Sequence, residues 1–248
     1  MYVPSTGLSC YLTDLPHQRS GHSQDGTLLC GGGAAWRHGC LRLDPTSGRW
    51  IESHSLQRER EDHVSWRVNN EDVILMGGFS IFTQKNSEML RKDGTVLDEP
   101  FPLKYSTTYV RTLTGSAASY ISNVHFYRNA CSIQDPLSES VIITGGFHTP
   151  ETVSLYNKTG WVKDFPSLNW GRQEHGCGSY LGEQGETVFL VTGGRDWNDQ
   201  YLDTTEILSP GKPWRQAHGH LPRPLASVAV TTLENVVYLF GKIQLTRP

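Results

Sequence analysis

The sequence predicts an all-β fold, a β-propeller built from repeated antiparallel sheets, and three recurring patterns carry that prediction. Short apolar runs close in glycine at near-regular intervals. A hairpin turn follows most of these runs, and a segment of the form Arg-x-x-His precedes several of them.

Five apolar runs end in glycine: Leu28-Leu29-Cys30-Gly31-Gly32, Ile74-Leu75-Met76-Gly77-Gly78, Ile142-Ile143-Thr144-Gly145-Gly146, Leu190-Val191-Thr192-Gly193-Gly194 and Tyr238-Leu239-Phe240-Gly241-Lys242. Their first glycines lie 46, 68, 48 and 48 residues apart. An apolar, β-branched run closed by glycine reads as a buried strand with its exit turn. Paired glycines permit positive φ and close approach of a neighbouring element. Downstream come the turns Leu43-Asp-Pro-Thr-Ser-Gly-Arg-Trp50, Leu90-Arg-Lys-Asp-Gly-Thr-Val96, Leu155-Tyr-Asn-Lys-Thr-Gly-Trp161 and Leu208-Ser-Pro-Gly-Lys-Pro-Trp214. Each sets Asn, Asp, Gly or Pro between strand-like residues, the hairpin signal. Upstream come Arg19-Ser-Gly-His22, Arg60-Glu-Asp-His63, Arg172-Gln-Glu-His175 and, without the histidine, Arg223-Pro-Leu-Ala226. That register reads as a loop leading into a strand.

Three registers in fixed order within about 50 residues resemble the Kelch repeat, and the resemblance covers nearly the whole chain. The repeats also look like invertebrate Kelch proteins that lack a BTB domain. The resemblance implies four strands per blade around a central channel. The first strand follows Arg-x-x-His at the channel, the second carries the glycines, the third ends at the turn and the fourth holds the tryptophan outside. Blades are expected at about 18–53, 58–99, 128–165 and 172–217, with a partial fifth at 223–242. Leu8 to Leu12 reads as a lone outer strand of the kind that completes a final blade. A six-bladed ring would need roughly 300 residues, so the expected architecture is a truncated six-bladed ring. The five glycine runs and Trp50, Trp161 and Trp214 are expected to be structural.

The pattern breaks twice. The interval from Gly77 to Gly145 is about 20 residues longer than its neighbours, and removing residues 110–127 would restore it. A long loop over the binding face is one reading of this insert. Retained intron sequence is another, because the splice-donor codons GTAAGA and GGTAAG translate as Val-Arg and Gly-Lys, matching Val110-Arg111 and Gly241-Lys242. Residues 243–248 follow as a tail outside the repeat.

Charge limits the partners. The 22 Lys and Arg against 25 Asp and Glu give a net charge of −3, which supplies no attraction to nucleic acid or an anionic membrane. No stretch approaches the roughly 20 apolar residues of a membrane-spanning helix, so a soluble protein is expected. The start shows neither a basic n-region nor an apolar h-region; the compartment stays open, with cytoplasm as the default and secretion retained if the N-terminus is incomplete. Of the five cysteines, Cys30 and Cys40 fall on neighbouring antiparallel strands, and Cys131 and Cys177 share a register on adjacent first strands. Disulfides fit both pairs, and free buried thiols are the expectation for a cytosolic protein. Asn157-Lys158-Thr159 is the one N-glycosylation sequon.

A metal site assembled from His22, His63 and His175 competes with a scaffold role. A repeated position usually serves the repeat, so strand capping is preferred and no cofactor is expected. Partner binding is assigned to non-repeating loop residues, which rigid blades can present. On one set of loops these are Phe79, His148, Arg195 and Trp197; on the other, Arg58, Arg60, Trp170, Arg172 and Arg223. Arginine suits carboxylates and aromatics suit anchoring. The expected function is a non-catalytic scaffold for a peptide or protein. Copper-radical galactose oxidase also uses Kelch-like blades and needs a cysteine crosslinked to tyrosine beside histidines. His175, Cys177 and Tyr180 stand close without a second cluster, which makes an enzyme the lesser alternative. A truncated fragment without independent function is the other.

Overall fold

A computed structural model of the chain describes residues 2–3, 8–9, 14–17, 19–25, 27–32, 37–68, 72–78, 87–98, 128–138, 140–147, 149–157, 160–162 and 165–243. None of them is helical. Tyr2–Val3 (β1) and Leu8–Ser9 (β2) pair as a separate hairpin. Ser23–Asp25, Leu28–Cys30, Gly39–Asp44 and Arg49–Ser55 (β3 to β6) form sheet I. Val64–Arg67, Val73–Met76, Ser87–Leu90 and Val96–Asp98 (β7 to β10) form sheet II. Cys131–Gln134, Val141–Thr144, Val153–Asn157 and Gly160–Trp161 (β11 to β14) form sheet III. Gly176–Leu181, Thr187–Thr192, Thr205–Leu208 and Arg215–Gln216 (β15 to β18) form sheet IV. Leu225–Leu233 and Val236–Ile243 (β19, β20) make a two-stranded sheet V. Every pairing is antiparallel between consecutive strands, as short hairpin turns require.

The first strands β3, β7, β11, β15 and β19 neighbour one another in chain order, a propeller-like arrangement of blades. In sheets I to IV the apolar runs become second strands buried along their whole length, whereas β20 of sheet V keeps Val236 and Phe240 exposed. Alternate residues therefore feed different inter-sheet cores. Ile74 and Met76 meet Val141 and Ile143 between sheets II and III, while Val73 and Leu75 meet Leu28 and Cys30 between sheets I and II. Phe189 and Val191 pack with Ile142 and Val153 between III and IV, and Val188, Leu190 and Ile207 with Val237 between IV and V. The turns follow the sequence chemistry: Asp44, Asp93 and Asp135 accept the amides of Thr46, Thr95 and Leu137 at 3.0, 2.8 and 3.0 Å.

Two disulfides form. Cys30–Cys40 joins directly opposed residues of β4 and β5, and Cys131–Cys177 joins the first strands of sheets III and IV, with Cα atoms 5.9 Å apart. This differs from the expectation of free thiols. Only Trp214 of the three repeated tryptophans is fully buried; Trp50 and Trp161 are half-buried, and Trp161 stands edge-on to Tyr156 at 5.1 Å. Trp66, outside that register, is buried between sheets II and III. Leu8–Ser9 pairs with β1 rather than with a blade. Strand β20 runs through Gly241 and Lys242 to Ile243, which pairs with Leu225. Gly241 is extended, unlike the glycines Gly31, Gly77, Gly145 and Gly193, which all take positive φ. The 110–127 insert lies outside the described residues.

Candidate functional site

The site grows from the segments that lead into the first strands. In each, one residue takes a left-handed conformation: Gly21 (φ 63°), Asp62 (55°), Asn129 (55°), Glu174 (53°) and Ser227 (49°). Sheet V thus enters through Leu225-Ala-Ser-Val228, two residues beyond the alignment on Arg223. The turn lets each sheet reach the one before it. Asp62 N–H donates to Gly21 C=O (2.7 Å), Asn129 to Asp62 (3.1 Å), Glu174 to Asn129 (3.0 Å) and Val228 to Glu174 (3.2 Å). Four hydrogen bonds between main-chain groups therefore run from sheet to sheet around an axis.

The glycine pairs grip the same segments. A Cβ on Gly145 would stand 2.3 Å from Arg172 O and 2.7 Å from the His175 ring of the next sheet. A Cβ on Gly194 would stand 2.6 Å from Gln173 O and 2.8 Å from His175 Cβ of its own sheet. One glycine makes room for the neighbour and the other for its own lead-in, so the pair marks the joint between sheets.

The histidines serve that joint. His63 Nε2 bonds Ser23 Oγ of sheet I at 2.7 Å, and His175 Nε2 bonds Thr144 Oγ1 of sheet III at 2.8 Å. Burial, reinforced by the nearby Arg60 and Arg172 guanidiniums, lowers each imidazole to a pKa of about 3, so both are neutral. Burial and then Arg19 lower His22 as well. Among the described residues no three His, Cys, Asp or Glu gather as a metal-binding set.

Arg60 and Arg172, expected on the binding face, have no exposed surface. Arg60 Nε meets Glu88 Oε1 at 2.9 Å and its Nη1 donates to Gly77 O at 2.9 Å. Arg172 Nη2 meets Glu206 Oε1 at 3.0 Å and its Nη1 donates to Gly193 O at 3.0 Å. Glu88 also accepts Gln57 N–H, and Glu206 accepts both the backbone and side-chain amides of Asn169. These arginines fasten the lead-in to the third strand of the same sheet. Their carboxylates were open to recognition from sequence: Ser87-Glu-Met-Leu90 and Thr205-Glu-Ile-Leu208 each place one glutamate in an otherwise strand-like run, 11 and 13 residues beyond the first glycine of the preceding pair.

At the top of the axis lies a cavity of about 620 Å³, lined from all five sheets. Arg128 faces Asp62 at 3.3 Å and lies over the Phe147 ring at 5.4 Å. Arg195 pairs with Glu174 and, at 3.2 Å, with Asp199; Ser227 Oγ donates to Glu174 Oε2 at 3.0 Å. Burial raises the Asp62 carboxyl above its ordinary range against the pull of Arg128. A second cavity of about 650 Å³ continues along the first strands, sharing His22, His63, Ala130 and Val228. Of the residues expected here, Arg195 lines the mouth. Trp170 and Trp197 are 46% and 61% exposed on loops at the same end, with Trp197 Nε1 held by Glu151 Oε1 at 3.1 Å. Arg58 and Arg223 are exposed. Phe79 and His148 lie outside the described residues. Sequence reasoning missed Asp62, Arg128, Phe147 and Glu174; the first and last sit one residue before the repeated histidines, a position whose side chain the left-handed turn directs to the axis.

Compared with protein-family models and with curated proteins, the chain matches none.

Proposed function

We propose that this chain is a Kelch-type β-propeller acting as a non-catalytic interaction scaffold, and that it binds a peptide or protein segment across the loop face around the channel mouth. One observation carries the reading: exposed Phe147, Trp170 and Trp197 stand at the same end as the ion-paired mouth, on loops fixed by backbone hydrogen bonds. Rigidly held aromatics beside arginine are the residue types that dominate binding energy at protein interfaces. Polar groups of both signs at the rim suit the main chain and charged side chains of a peptide. The scaffold reading is further supported by Cys177, whose sulfur is bonded to Cys131 and so is not free to crosslink Tyr180.

The test is selection of binding peptides from a display library against the full chain, followed by titration of variants. Trp197→Ala and Trp170→Ala should each weaken a selected peptide by roughly tenfold or more, the usual cost of losing an aromatic anchor. Glu183→Ala, on a turn at the opposite end, should leave affinity unchanged. Peptides that ignore both tryptophans and respond to Glu183 would overturn the assignment.

A further inference from the structure

The core between sheets III and IV is open at the end opposite the mouth, in a cavity of about 630 Å³. Its walls are Ile142 and Leu155 of sheet III, Phe189 and Leu208 of sheet IV, and Phe165 of the connecting segment. These side chains belong to the inter-sheet core that also buries Trp214. The opening has a cause in strand length. Strands β11 and β12 have four residues each, whereas β15 and β16 have six. Both pairs start level at the glycine end, so at about 3.3 Å per residue sheet IV overhangs sheet III by roughly 7 Å at the far end. The turn from Ser209 to Pro213 extends that overhanging wall, and Asp135, Ser138 and Ser140 of the first turn of sheet III line the opposite edge.

Among the described residues the rim has one uncommitted charge. Asp135 is engaged within the wall, accepting Thr187 Oγ1 at 2.7 Å and the Leu137 amide at 3.0 Å. Lys212 is exposed at the cavity edge and makes no ion pair among the described residues. An apolar slot of this volume with one cation at its edge has the dimensions and polarity of a small-molecule site.

We propose that this slot binds a small amphipathic organic anion, with an aromatic body between Phe189 and Leu155 and a carboxylate or sulfonate at the Lys212 ammonium. The complex leaves the loop face at the other end untouched and does not depend on what binds there.

The full chain is titrated with two dyes sharing one ring system, the anionic 8-anilinonaphthalene-1-sulfonate and the neutral N-phenyl-1-naphthylamine. Saturable binding of one sulfonate dye per chain is expected, with energy transfer from tryptophan, since Trp214 lies behind the wall and donates its Nε1 proton to Pro166 O of the lining. Lys212→Glu should weaken the sulfonate dye by roughly tenfold, the loss of one charge-assisted contact, and leave the neutral dye nearly unchanged. Ser209→Trp, which places a bulky ring at the rim, should weaken both. Lys212 is exposed, so its substitution leaves the fold intact and decides the matter even if Ser209→Trp does not fold. The proposal is overturned by a lack of saturable binding, by equal sulfonate affinity in Lys212→Glu, or by loss of both dyes in Phe240→Glu, which would place them on the exposed apolar side chains of β20.

Discussion

His63 and His175 occupy matching places in sheets II and IV, each buried with its ring against a glycine of the preceding sheet. An imidazole with a folded pKa of about 3 takes up its proton far more readily once unfolded, where the value is near 6.5. Stability is therefore fully present above pH 6.5 and is lost progressively as pH falls from 6.5 toward 3. At pH 5 the loss is about 2 kcal/mol per histidine. Urea unfolding at pH 7 and pH 5 should show a stability difference that shrinks by about that amount in His63→Gln and again in His175→Gln. An unchanged difference would show that these rings are not held neutral. The buried pairs act at the same scale. Removing one partner leaves an uncompensated charge, so Glu206→Ala should cost about 3–5 kcal/mol in unfolding free energy. Arg172→Met combined with Glu206→Leu should cost less than the sum of the single changes, because the two charges leave together. Additive losses would mean that the pair is not coupled.

Between strands, the disulfide from Cys131 to Cys177 fastens β11 to β15 across 46 residues of chain, while Cys30–Cys40 closes a hairpin across 10. Loop-closure entropy alone assigns about 4 kcal/mol to the first and about 3 kcal/mol to the second. Replacing each pair by serine should lower the melting temperature more for Cys131–Cys177, and the reverse order would show that chain entropy does not govern them. Strands and turns were legible in sequence because their signals are local. A glycine pair, an Asx turn and an apolar run each act within a few residues, and each recurs. The site was legible only in part. Arg60 and Arg172 repeat beside loops, which suggested the surface, yet their carboxylates stand 28 and 34 residues away on third strands. A pattern read along the chain does not show which repeated arginine turns inward. The same blindness hid the mouth, where Arg128 meets Asp62 across 66 residues.

Across the whole molecule, each sheet buries its apolar faces only against its neighbours, so cohesion is a series of nearest-neighbour interfaces. Among the described residues sheet V packs against one such neighbour, sheet IV, and Val236, Phe240 and Ile243 of β20 remain 52%, 58% and 41% exposed. The hydrogen bonds that link successive lead-ins report on each interface separately. An amide held only by the preceding sheet exchanges with solvent when that single joint parts, whether or not either sheet unfolds. Deuterium uptake at Asp62, Asn129, Glu174 and Val228 would thus time the opening of four joints one by one. Glu174 should be slowest, since its joint is the one crossed by the Cys131–Cys177 bond, and it should lose that rank when both cysteines are replaced by serine. Uniform uptake at all four positions would mean instead that the sheets separate together. Graded uptake would make the rim of the cavity a set of clocks, and a ligand seated on the mouth would be detectable by which of them it slows.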